Sequence, residues 1–512
     1  MDNETTVPLE TELKLALTEE AAQRFRAHAL FRPPGGAEPE QRRLVSTYFD
    51  TEDCALAKQG LALRIRSGDG RFVQTLKSSG DGGVVFSRGE WEWEVDGETP
   101  DLSLLSDTPA SAEQLRELPA GLKPLFFTDV TRTIRILHLD RGTTAEAALD
   151  AGRVVAGDAE EPVLELELEL RAGKPGPLYR LALELHAESP IGIATESKAA
   201  RGYQLATRQE PHTQKAPEIR LAPALTAAEG FQRITDSLLG HFLVNQPAAL
   251  AGATEGIHQM RVAIRRLRAH LVLFAPYLEP HARGRFENEL QRVGRVFGEA
   301  RDWDVFCTEI LPNIQETVHA STWLHLLHGP AELRRQSAHV EFRRECAAPT
   351  FSALVLSFAG WAADGADTPE LLGSEELRQP LAELAPGLLD ALDQKVQRRG
   401  RHVGEASDPE LHALRKSLKK LRYGVEFLGS LFPDQERQRF QHRCEALQGT
   451  LGAVQDAAMA VSLAESLAAG PRIDLAPAIG LLAQASGRRR RDALHDLSAD
   501  WLDFLAEPRF WS

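Results

Sequence analysis

The stretch Leu9-Glu10-Thr11-Glu12-Leu13-Lys14-Leu15-Ala16-Leu17 decides the fold of the first half of this 512-residue chain. Apolar and charged side chains alternate along it, with the period of a β-strand whose two faces differ. The leucines at 9, 13, 15 and 17 share one face, and Glu10, Glu12 and Lys14 share the other. The pattern predicts a half-buried strand with a charged second face.

The same alternation recurs as far as about Leu205. Further predicted strands are Leu61–Arg66, Phe72–Lys77, Glu90–Val95 and Val163–Leu170. Glycine-containing turns separate them, at Ser67–Gly70, Gly80–Gly83 and Asp96–Gly97. Helical periodicity appears only near Glu19–Leu30 and Tyr179–Ala187. This half is therefore predicted to be a mainly antiparallel sheet or barrel with some helices.

A proline-rich polar segment, roughly residues 209–225, separates this half from one with the 3.6-residue period of helices. The helical half repeats itself. The segment from His258 to Arg268 recurs from His412 to Arg422, and Phe297-Gly298…Asp302 recurs as Leu451-Gly452…Asp456. Every matched position is offset by 154 residues. The repeat predicts a duplicated helical bundle.

The predicted fold is α+β, and the length of the chain favours more than one domain. We expect a β domain over residues 1–207, a linker over 208–223 and a helical domain over 224–512. The two copies within the helical domain would span about 230–380 and 381–512.

The composition narrows the functional classes. With 43% hydrophobic and 26% charged residues the chain is globular, and its net charge of -15 argues against a nucleic-acid partner. The four cysteines are far apart, without a C-x-x-C pair, which indicates a reducing compartment. The longest apolar stretch, residues 352–363, is too short to span a bilayer. We expect a cytoplasmic protein with no signal peptide and no membrane partner.

The charges of the β half are sorted by sign. Acids alternate at Glu165, Glu167 and Glu169 and at Glu90, Glu92 and Glu94, while the basic positions are Arg64, Arg66, Lys77, Arg88, Arg132 and Arg135. One interpretation is a solvated sheet face. The other is a shared cavity, in which carboxylates bind hard divalent cations and the basic residues bind a polyanion. The second interpretation explains both signs, because like charges side by side are otherwise destabilising.

Taken in order, these motifs resemble the CYTH family, the triphosphate tunnel metalloenzymes. The matching segments are Glu10-x-Glu12-x-Lys14, Tyr48–Thr51, Leu63–Arg66, Gln74–Lys77, Arg88 with Glu90, Arg132, Leu149-Asp150, Glu165-x-Glu167 and Ser197–Tyr203. The resemblance covers about residues 5–205. It implies an eight-stranded antiparallel tunnel that hydrolyses inorganic triphosphate with Mg²⁺ or Mn²⁺, with two divalent ions in the proposed mechanism.

The resemblance also implies the roles of individual residues. The metal ligands would be Glu10, Glu12, Asp150, Glu165 and Glu167. The catalytic cations would be Lys14, Arg64, Arg66, Lys77, Arg132 and Lys198, and substrate binding would add Arg88 and Arg201. The glutamate pair could shift by two residues to include Glu169, Arg135 could face outward beside Arg132, and Glu92 and Glu94 are interpreted as solvated.

In the helical half, basic residues follow one stripe of each repeated helix. The two stripes could be solvated faces paired with acids such as Asp302 and Asp456, or could face each other as a groove for a linear polyanion. The repeats are similar to the CHAD domain, and this resemblance implies binding of inorganic polyphosphate and association with polyphosphate granules. The implied binding residues are His258, Arg261, Arg265, Arg266, Arg268, His412, Arg415, Lys416, Lys419, Lys420 and Arg422.

Two other functions stay open at this point. The tunnel could act on thiamine triphosphate or a nucleoside triphosphate, including an adenylate cyclase reaction. Alternatively, the chain could be a non-catalytic module that binds polyphosphate, although such a module would be expected to lack metal ligands and none is missing here. No Walker A motif is present to indicate a P-loop enzyme.

Overall fold

The computed structural model describes residues 9–31, 39–68, 70–78, 83–108, 121–317, 324–468 and 474–511. These residues belong to two compact units. The first comprises Met1–Thr213, Leu239–Ala251 and Ala348–Ala363, and the second comprises Gln214–Leu238, Gly252–Ala347 and Asp364–Ser512.

The first unit is built on an antiparallel β-barrel of eight strands, with a short ninth strand paired to the first. The strands are β1 Leu9–Ala16, β2 Glu40–Asp50, β3 Leu61–Gly68, β4 Arg71–Ser78, β5 Val85–Val95, β6 Lys123–His138, β7 Thr144–Ala156, β8 Ala159–Ala172 and β9 Gly192–Ile193. Around the barrel they follow the order β5-β4-β3-β2-β6-β7-β8-β1, and β1 pairs with β5 to close the ring. Closure leaves none of these eight strands with a free edge.

In strands such as β1, β3 and β8, alternation separates an outer apolar face from an inner charged face. Outside β3, β4 and β5, residues such as Leu63 and Leu76 form a buried cluster. Four helices accompany the barrel: α1 Glu19–Ala27, α2 Ala55–Lys58, α3 Gly176–Glu188 and α4 Lys198–Thr207. Helix α4 packs against β6, where Gly202 lies so close to the Phe126 ring that a Cβ would be 2.0 Å from it. Tyr203 makes an edge contact with the same ring.

The eight-stranded barrel and its flanking helices confirm the predicted fold. The strands missed by alternation are β2, β6 and β7. In β7 most residues on both faces are buried, because acids and alanines point inward and more alanines pack outward, so hydrophobicity does not alternate. Much of the turn predicted at Gly80–Gly83 lies outside the described residues.

The rest of the described chain is helical, as predicted. The helices are α5 Ala227–Val244, α6 Gln246–Leu250, α7 Thr254–Leu273, α8 Pro280–Val305, α9 Leu311–Thr317, α10 His325–Ala347, α11 Pro349–Asp367, α12 Leu381–Gly400, α13 Asp408–Leu428, α14 Asp434–Leu467 and α15 Ala476–Ala506. A π-helical turn, Phe306–Ile310, follows α8.

The helix starts reproduce the sequence repeat. Helices α5, α7 and α8 begin at residues 227, 254 and 280, and α12, α13 and α14 begin 154 residues later at 381, 408 and 434. We call these two sets of three helices the first copy and the second copy.

Among the described residues, no single helix is long and apolar enough to cross a bilayer. The consecutive helices α10 and α11 meet that criterion only as a pair, and they are bent by 56° at their junction.

We predict that Gly202→Ala destabilises the barrel, because the new methyl group would collide with the Phe126 ring. A cost of about 1–3 kcal/mol is typical of such overpacking. In thermal unfolding, the barrel should therefore unfold at a lower temperature than in the parent protein. The control is Gly449→Ala in α14, where a Cβ would meet no atom within 4 Å and alanine should stabilise the helix slightly. An unchanged barrel transition in Gly202→Ala would contradict the close packing of α4.

Candidate functional site

The predicted site residues of the barrel converge in its interior. A continuous chain of ion pairs joins all of them except Arg66. Its carboxylates come from β1, β5, β7 and β8. Its cations come from β1, β3, β4, β5, β6 and α4. The residues in this network are Glu10, Glu12, Lys14, Arg64, Lys77, Arg88, Glu90, Arg132, Asp150, Glu165, Glu167, Lys198 and Arg201. Buried opposite charges at such density do not resemble a solvated sheet face.

Three carboxylates lie together on β7 and β8. Asp150 is directly opposite Glu165 in the strand register, and Glu167 follows two residues later on the same face. One oxygen of each of Asp150, Glu165 and Glu167 lies within 4.8 Å of the others, and all three residues are buried. An all-oxygen donor set of this kind suits a hard divalent cation. It is the one such group of three potential ligands in the part of the chain that the structure describes.

The remaining predicted ligands, Glu10 and Glu12, form a second acidic group on β1. Lys77 Nζ donates to Glu10 Oε2 over 2.7 Å, and Arg88 bonds to both Glu10 and Glu12. Lys14 links the two groups, because its ammonium donates to Glu12 Oε2 over 2.8 Å and also to Glu167. The structure thus brings all five predicted ligands into one cavity, with the Lys14 ammonium between the two groups.

Helix α4 supplies cations from its first turn and a half. The Ser197 side chain caps the helix by accepting from Ala200 N. Lys198, the first helical residue, contacts all three carboxylates of β7 and β8. Arg201 lies one turn later and bonds to Glu161 and to the carbonyl of Pro162.

The cations keep the buried carboxylates ionised. Burial alone would raise the pKa of Glu167, but Lys14, Lys198 and Arg132 lower it well below its usual value. Burial would likewise raise the pKa of Glu10, and Lys77 and Arg88 lower it strongly. Conversely, Glu12 and Glu167 raise the pKa of Lys14 against the opposite effect of its burial. Glu10, Glu167 and Lys14 therefore stay charged at neutral pH.

Arg66 differs from its neighbours in forming no ion pair with a described residue, although the charge of Glu92 attracts it. The pKa of Arg66 is lowered to about 10, first by repulsion from Arg64, then by burial and by repulsion from Arg132. Three guanidinium groups are thus crowded on one side of the cavity. Such crowding favours the binding of an anion between them.

The structure also bears on the residues whose roles the sequence left open. Glu169 lies opposite Glu12 across β1 and β8 and pairs with Arg171. Arg135 is aligned with Ala147 and lies three residues after Arg132, which places it on the opposite face of β6. Glu92 and Glu94 are exposed.

Sequence reasoning gave no site role to Glu90, which pairs with both Lys77 and Arg64. Its position two residues after Arg88, on the same face of β5, was the available signal.

In the helical unit, the basic stripes of the two copies approach each other. Arg265 of α7 and Arg415 of α13 both lower the pKa of Lys419, which burial and these charges bring to about 7. Arg261 belongs to the same cluster and pairs with Asp302 at 2.6 Å. Its counterpart Arg415 pairs less closely, at 3.7 Å, with Asp456.

In each copy, a glycine lies next to the arginine that pairs with the aspartate. A Cβ at Gly298 would lie 3.8 Å from the Arg261 guanidinium, and one at Gly452 would lie 3.3 Å from that of Arg415. An alanine would thus make ordinary contact with Arg261 at position 298, and at position 452 it would require a shift of Arg415 by a few tenths of an ångström.

The other basic residues predicted in the stripes differ in their surroundings. Arg266 and Arg422 both pair with Glu426, and Arg266 also lies over the Phe427 ring, which indicates a packing role. Lys420 lies near Arg268, Lys395 and Arg399, whose charges and its burial lower its pKa.

The remaining stripe residues are Lys416, which is exposed, and two half-buried histidines. His412 forms a hydrogen bond with Gln455 over 2.5 Å. In the first copy, Arg301 takes the place of Gln455. Burial and, to a smaller extent, the charge of Arg301 lower the pKa of His258.

Comparison with known proteins follows the same division of the chain. Residues 8–203 match the family model of the CYTH domain, and residues 233–465 match that of the CHAD domain. An inorganic triphosphatase of Haemophilus influenzae is 37% identical over 177 residues, a match that covers 32% of this chain and 47%, about half, of that protein. The crystal structure of the CHAD domain from the plant Ricinus communis is similar in fold, with a TM-score of 0.51 and 24% identity over 58% of this chain and 98% of that chain.

We predict that Arg66→Met stabilises the barrel, because it removes a crowded cation that forms no ion pair with a described residue. The gain should be about 1 kcal/mol, at the lower end of the range for replacing buried charges by apolar groups. Thermal unfolding measures it. The control is Arg71→Met on the adjacent strand, an exposed arginine whose partner Glu94 is also exposed, and it should have almost no effect. A lower unfolding temperature for Arg66→Met would show that Arg66 is not under electrostatic strain.

Proposed function

From the premise that the chain has a CYTH domain at its N-terminus and a CHAD domain at its C-terminus, we propose that it is a divalent-metal-dependent phosphohydrolase that cleaves inorganic triphosphate to pyrophosphate and phosphate. The observation that carries the proposal is the barrel interior, where clustered carboxylates face clustered guanidinium groups. A metal-bound polyphosphate anion matches both, whereas a neutral or weakly charged substrate would match neither.

The carboxylates fit the proposed metal. Asp150, Glu165 and Glu167 offer converging oxygens, and Glu10 and Glu12 supply further oxygens on β1. Bound among them, one divalent ion, Mg²⁺ or Mn²⁺, would neutralise phosphate charge and a second would lower the pKa of the attacking water. These residues would hold the ions because their negative charge is maintained at neutral pH, as the lowered pKa values of Glu10, Asp150 and Glu167 indicate.

The cations would hold the phosphates. Arg64, Arg66 and Arg132 can bind phosphate oxygens through paired N–H donors, while Lys14, Lys77 and Lys198 supply point charges. A bound polyanion would relieve the repulsion within the arginine group. Catalysis would rest on positioning and on stabilising charge at the equatorial oxygens, since phosphoryl transfer passes through a loose transition state. Arg88, which bridges Glu10 and Glu12, and Arg201, at the edge of the network, would provide further contacts to the substrate.

The alternative substrates are thiamine triphosphate and nucleoside triphosphates, because the same interior would bind their triphosphate groups. The similarity to an inorganic triphosphatase favours the inorganic substrate. A purely binding role is less well supported, because none of the predicted ligands is missing and all are gathered in the interior.

We further propose that the helical unit binds inorganic polyphosphate along its two stripes. Arg265, Lys416 and Lys419 form no ion pair with a described residue, and Arg261 and Arg415 have only one carboxylate each. This excess of positive charge in a protein of net charge -15 supports a polyanionic ligand. Binding through such charges weakens steeply with added salt.

We predict that Glu167→Gln lowers kcat for triphosphate hydrolysis by about 100-fold to 1,000-fold, the range seen when one electrostatic group of an active site is removed. The isosteric amide keeps the shape but cannot serve as an anionic ligand. Phosphate release with Mg²⁺ or Mn²⁺ measures the effect, and Glu94→Gln, at the exposed end of β5, is the control. A correctly folded Glu167→Gln with full activity would rule out the proposed metal site.

The substrate assignment is tested by the rate of phosphate release from inorganic triphosphate, long-chain polyphosphate, ATP and thiamine triphosphate under the same metal conditions. We expect the highest kcat/KM for inorganic triphosphate, because the cavity offers charge rather than a surface for an organic group. A higher value for either organic triphosphate would replace the inorganic assignment, and phosphate release from none of the four would leave only the binding role.

We predict that polyphosphate affinity falls as the pH rises from about 7 to 9. Lys419 has a pKa of about 7, lowered by burial and by Arg415, Arg265 and Arg261 and partly restored by Asp456. A bound polyanion favours the charged form and raises this pKa, so binding above pH 7 takes up a proton and weakens as pH increases.

In Lys419→Arg this pH dependence should disappear, because arginine stays charged throughout. Titration of the full chain with long-chain polyphosphate in the presence of a chelator, which prevents metal-dependent hydrolysis, measures the effect. The histidines of the stripes have pKa values lowered below the usual 6.5 and do not titrate in this range. Identical pH profiles for Lys419→Arg and the parent protein would contradict the placement of Lys419 at the bound polyanion.

A further inference from the structure

The helical unit contains a cavity of about 510 Å³ beside the basic stripe of the first copy. One wall is the face of α8 that carries Gly294, Arg295 and Trp303, and Arg334 of α10 and Leu463 of α14 stand on other sides. Its volume is in the range of pockets that bind small organic molecules.

Part of the cavity wall has no counterpart in the second copy. The 154-residue offset places Gln448 where the first copy has Gly294, Gly449 where it has Arg295, and Ala457 where it has Trp303. By contrast, the arginine, glycine and aspartate that stand together in the stripes occur in both copies. The three compared lining positions have thus diverged, whereas Arg261, Gly298 and Asp302, which also line the cavity, are shared with the basic stripe.

The charges of the cavity are mixed. Arg295 and Arg334 are exposed, and neither forms an ion pair with any residue that the structure describes. Two carboxylates also line the cavity, Glu299 and Asp302, of which Asp302 is held by Arg261. Glu299 forms no ion pair with a described residue and would repel a long inorganic polyanion, whereas hydroxyl or amino groups of an organic ligand could donate hydrogen bonds to it.

The remaining wall is apolar. Trp303 is only 3% exposed and presents its edge to the Phe306 ring at 5.5 Å between centroids, which fixes its orientation. Leu463 adds a second apolar side chain. An inorganic phosphate chain gains nothing from such a surface, but the planar or apolar part of an organic phosphate does.

We propose that this cavity is a binding site for a small organic phosphate of the nucleoside monophosphate class. Arg295 and Arg334 bind its phosphate, the side of Trp303 and Leu463 contacts its base, and Glu299 accepts hydrogen bonds from its sugar or amino groups. The site lies outside the barrel interior and extends from Arg261 of the first copy's stripe to residues that the stripe does not include.

The experiment is a calorimetric titration of the full chain with AMP as the probe, in chelator and with saturating inorganic triphosphate. The triphosphate occupies other anion sites, and the chelator prevents metal-dependent turnover. Arg295→Ala/Arg334→Ala should weaken AMP binding by about 10-fold or more, the usual loss when charged hydrogen bonds are removed. Gly294→Gln, which introduces the residue of the second copy and fills the cavity, should weaken it to a similar extent without removing a charge.

The matched control is Arg285→Ala/Arg343→Ala, which removes two exposed arginines from the same helices, α8 and α10, away from the cavity. It should bind AMP like the parent protein. The proposal is overturned if the parent does not bind AMP, if saturating triphosphate abolishes the binding, or if the control weakens it as much as the cavity variants do. Thermal unfolding of each variant verifies that the helical unit is folded.

Discussion

The barrel depends on a balance of buried charge, and the Lys14 ammonium between Glu12 and Glu167 is at its centre. Placed alone inside the barrel, any one of these groups would be costly to bury. Arranged around the ring, each carboxylate has cations within ion-pair distance, and most cations have more than one carboxylate. The interior can therefore stay charged although its side chains are buried, so that a metal-bound anion can replace the internal partners.

The two units differ in how their positively charged side chains are paired with acids. In the barrel almost every cation already has an internal acid, so a ligand must replace one set of partners with another. In the helical unit, Arg265 and Lys419 face cations rather than acids, and the resulting repulsion and their burial lower the pKa of both groups. The first arrangement suits selective recognition of a compact anion with its metal. The second suits attraction of a long anion, because unpaired positive charge does not require particular contacts along that anion.

Much of this architecture could be predicted from the sequence, and the exceptions have physical causes. Strand β1 was predicted because one of its faces is apolar and the other is charged. Strand β7 was not predicted from alternation, because alanines occur on both of its faces. The inward residues were predicted through their motifs, but the sequence could not give the register that puts Asp150 opposite Glu165. The duplication was predicted from two short motifs, while the equivalence of α5 and α12 became visible only from their helix starts. The cavity beside α8 could not be foreseen, because it arises from packing between helices distant in sequence.

Closure of the barrel has a consequence for synthesis. Strand β1 is synthesised before the other strands of the barrel, yet its partner β8 ends at Ala172 and the α4 cations follow only from Lys198 onward. Before β8 has been made, Glu12 and Lys14 have no opposing strand. Before residue 198 has been made, the acids of β7 and β8 lack Lys198. Pairings between such distant segments form slowly. A nascent chain interrupted before residue 198 would therefore expose a strongly charged, unfinished interior, so this half of the protein matures as a unit rather than strand by strand.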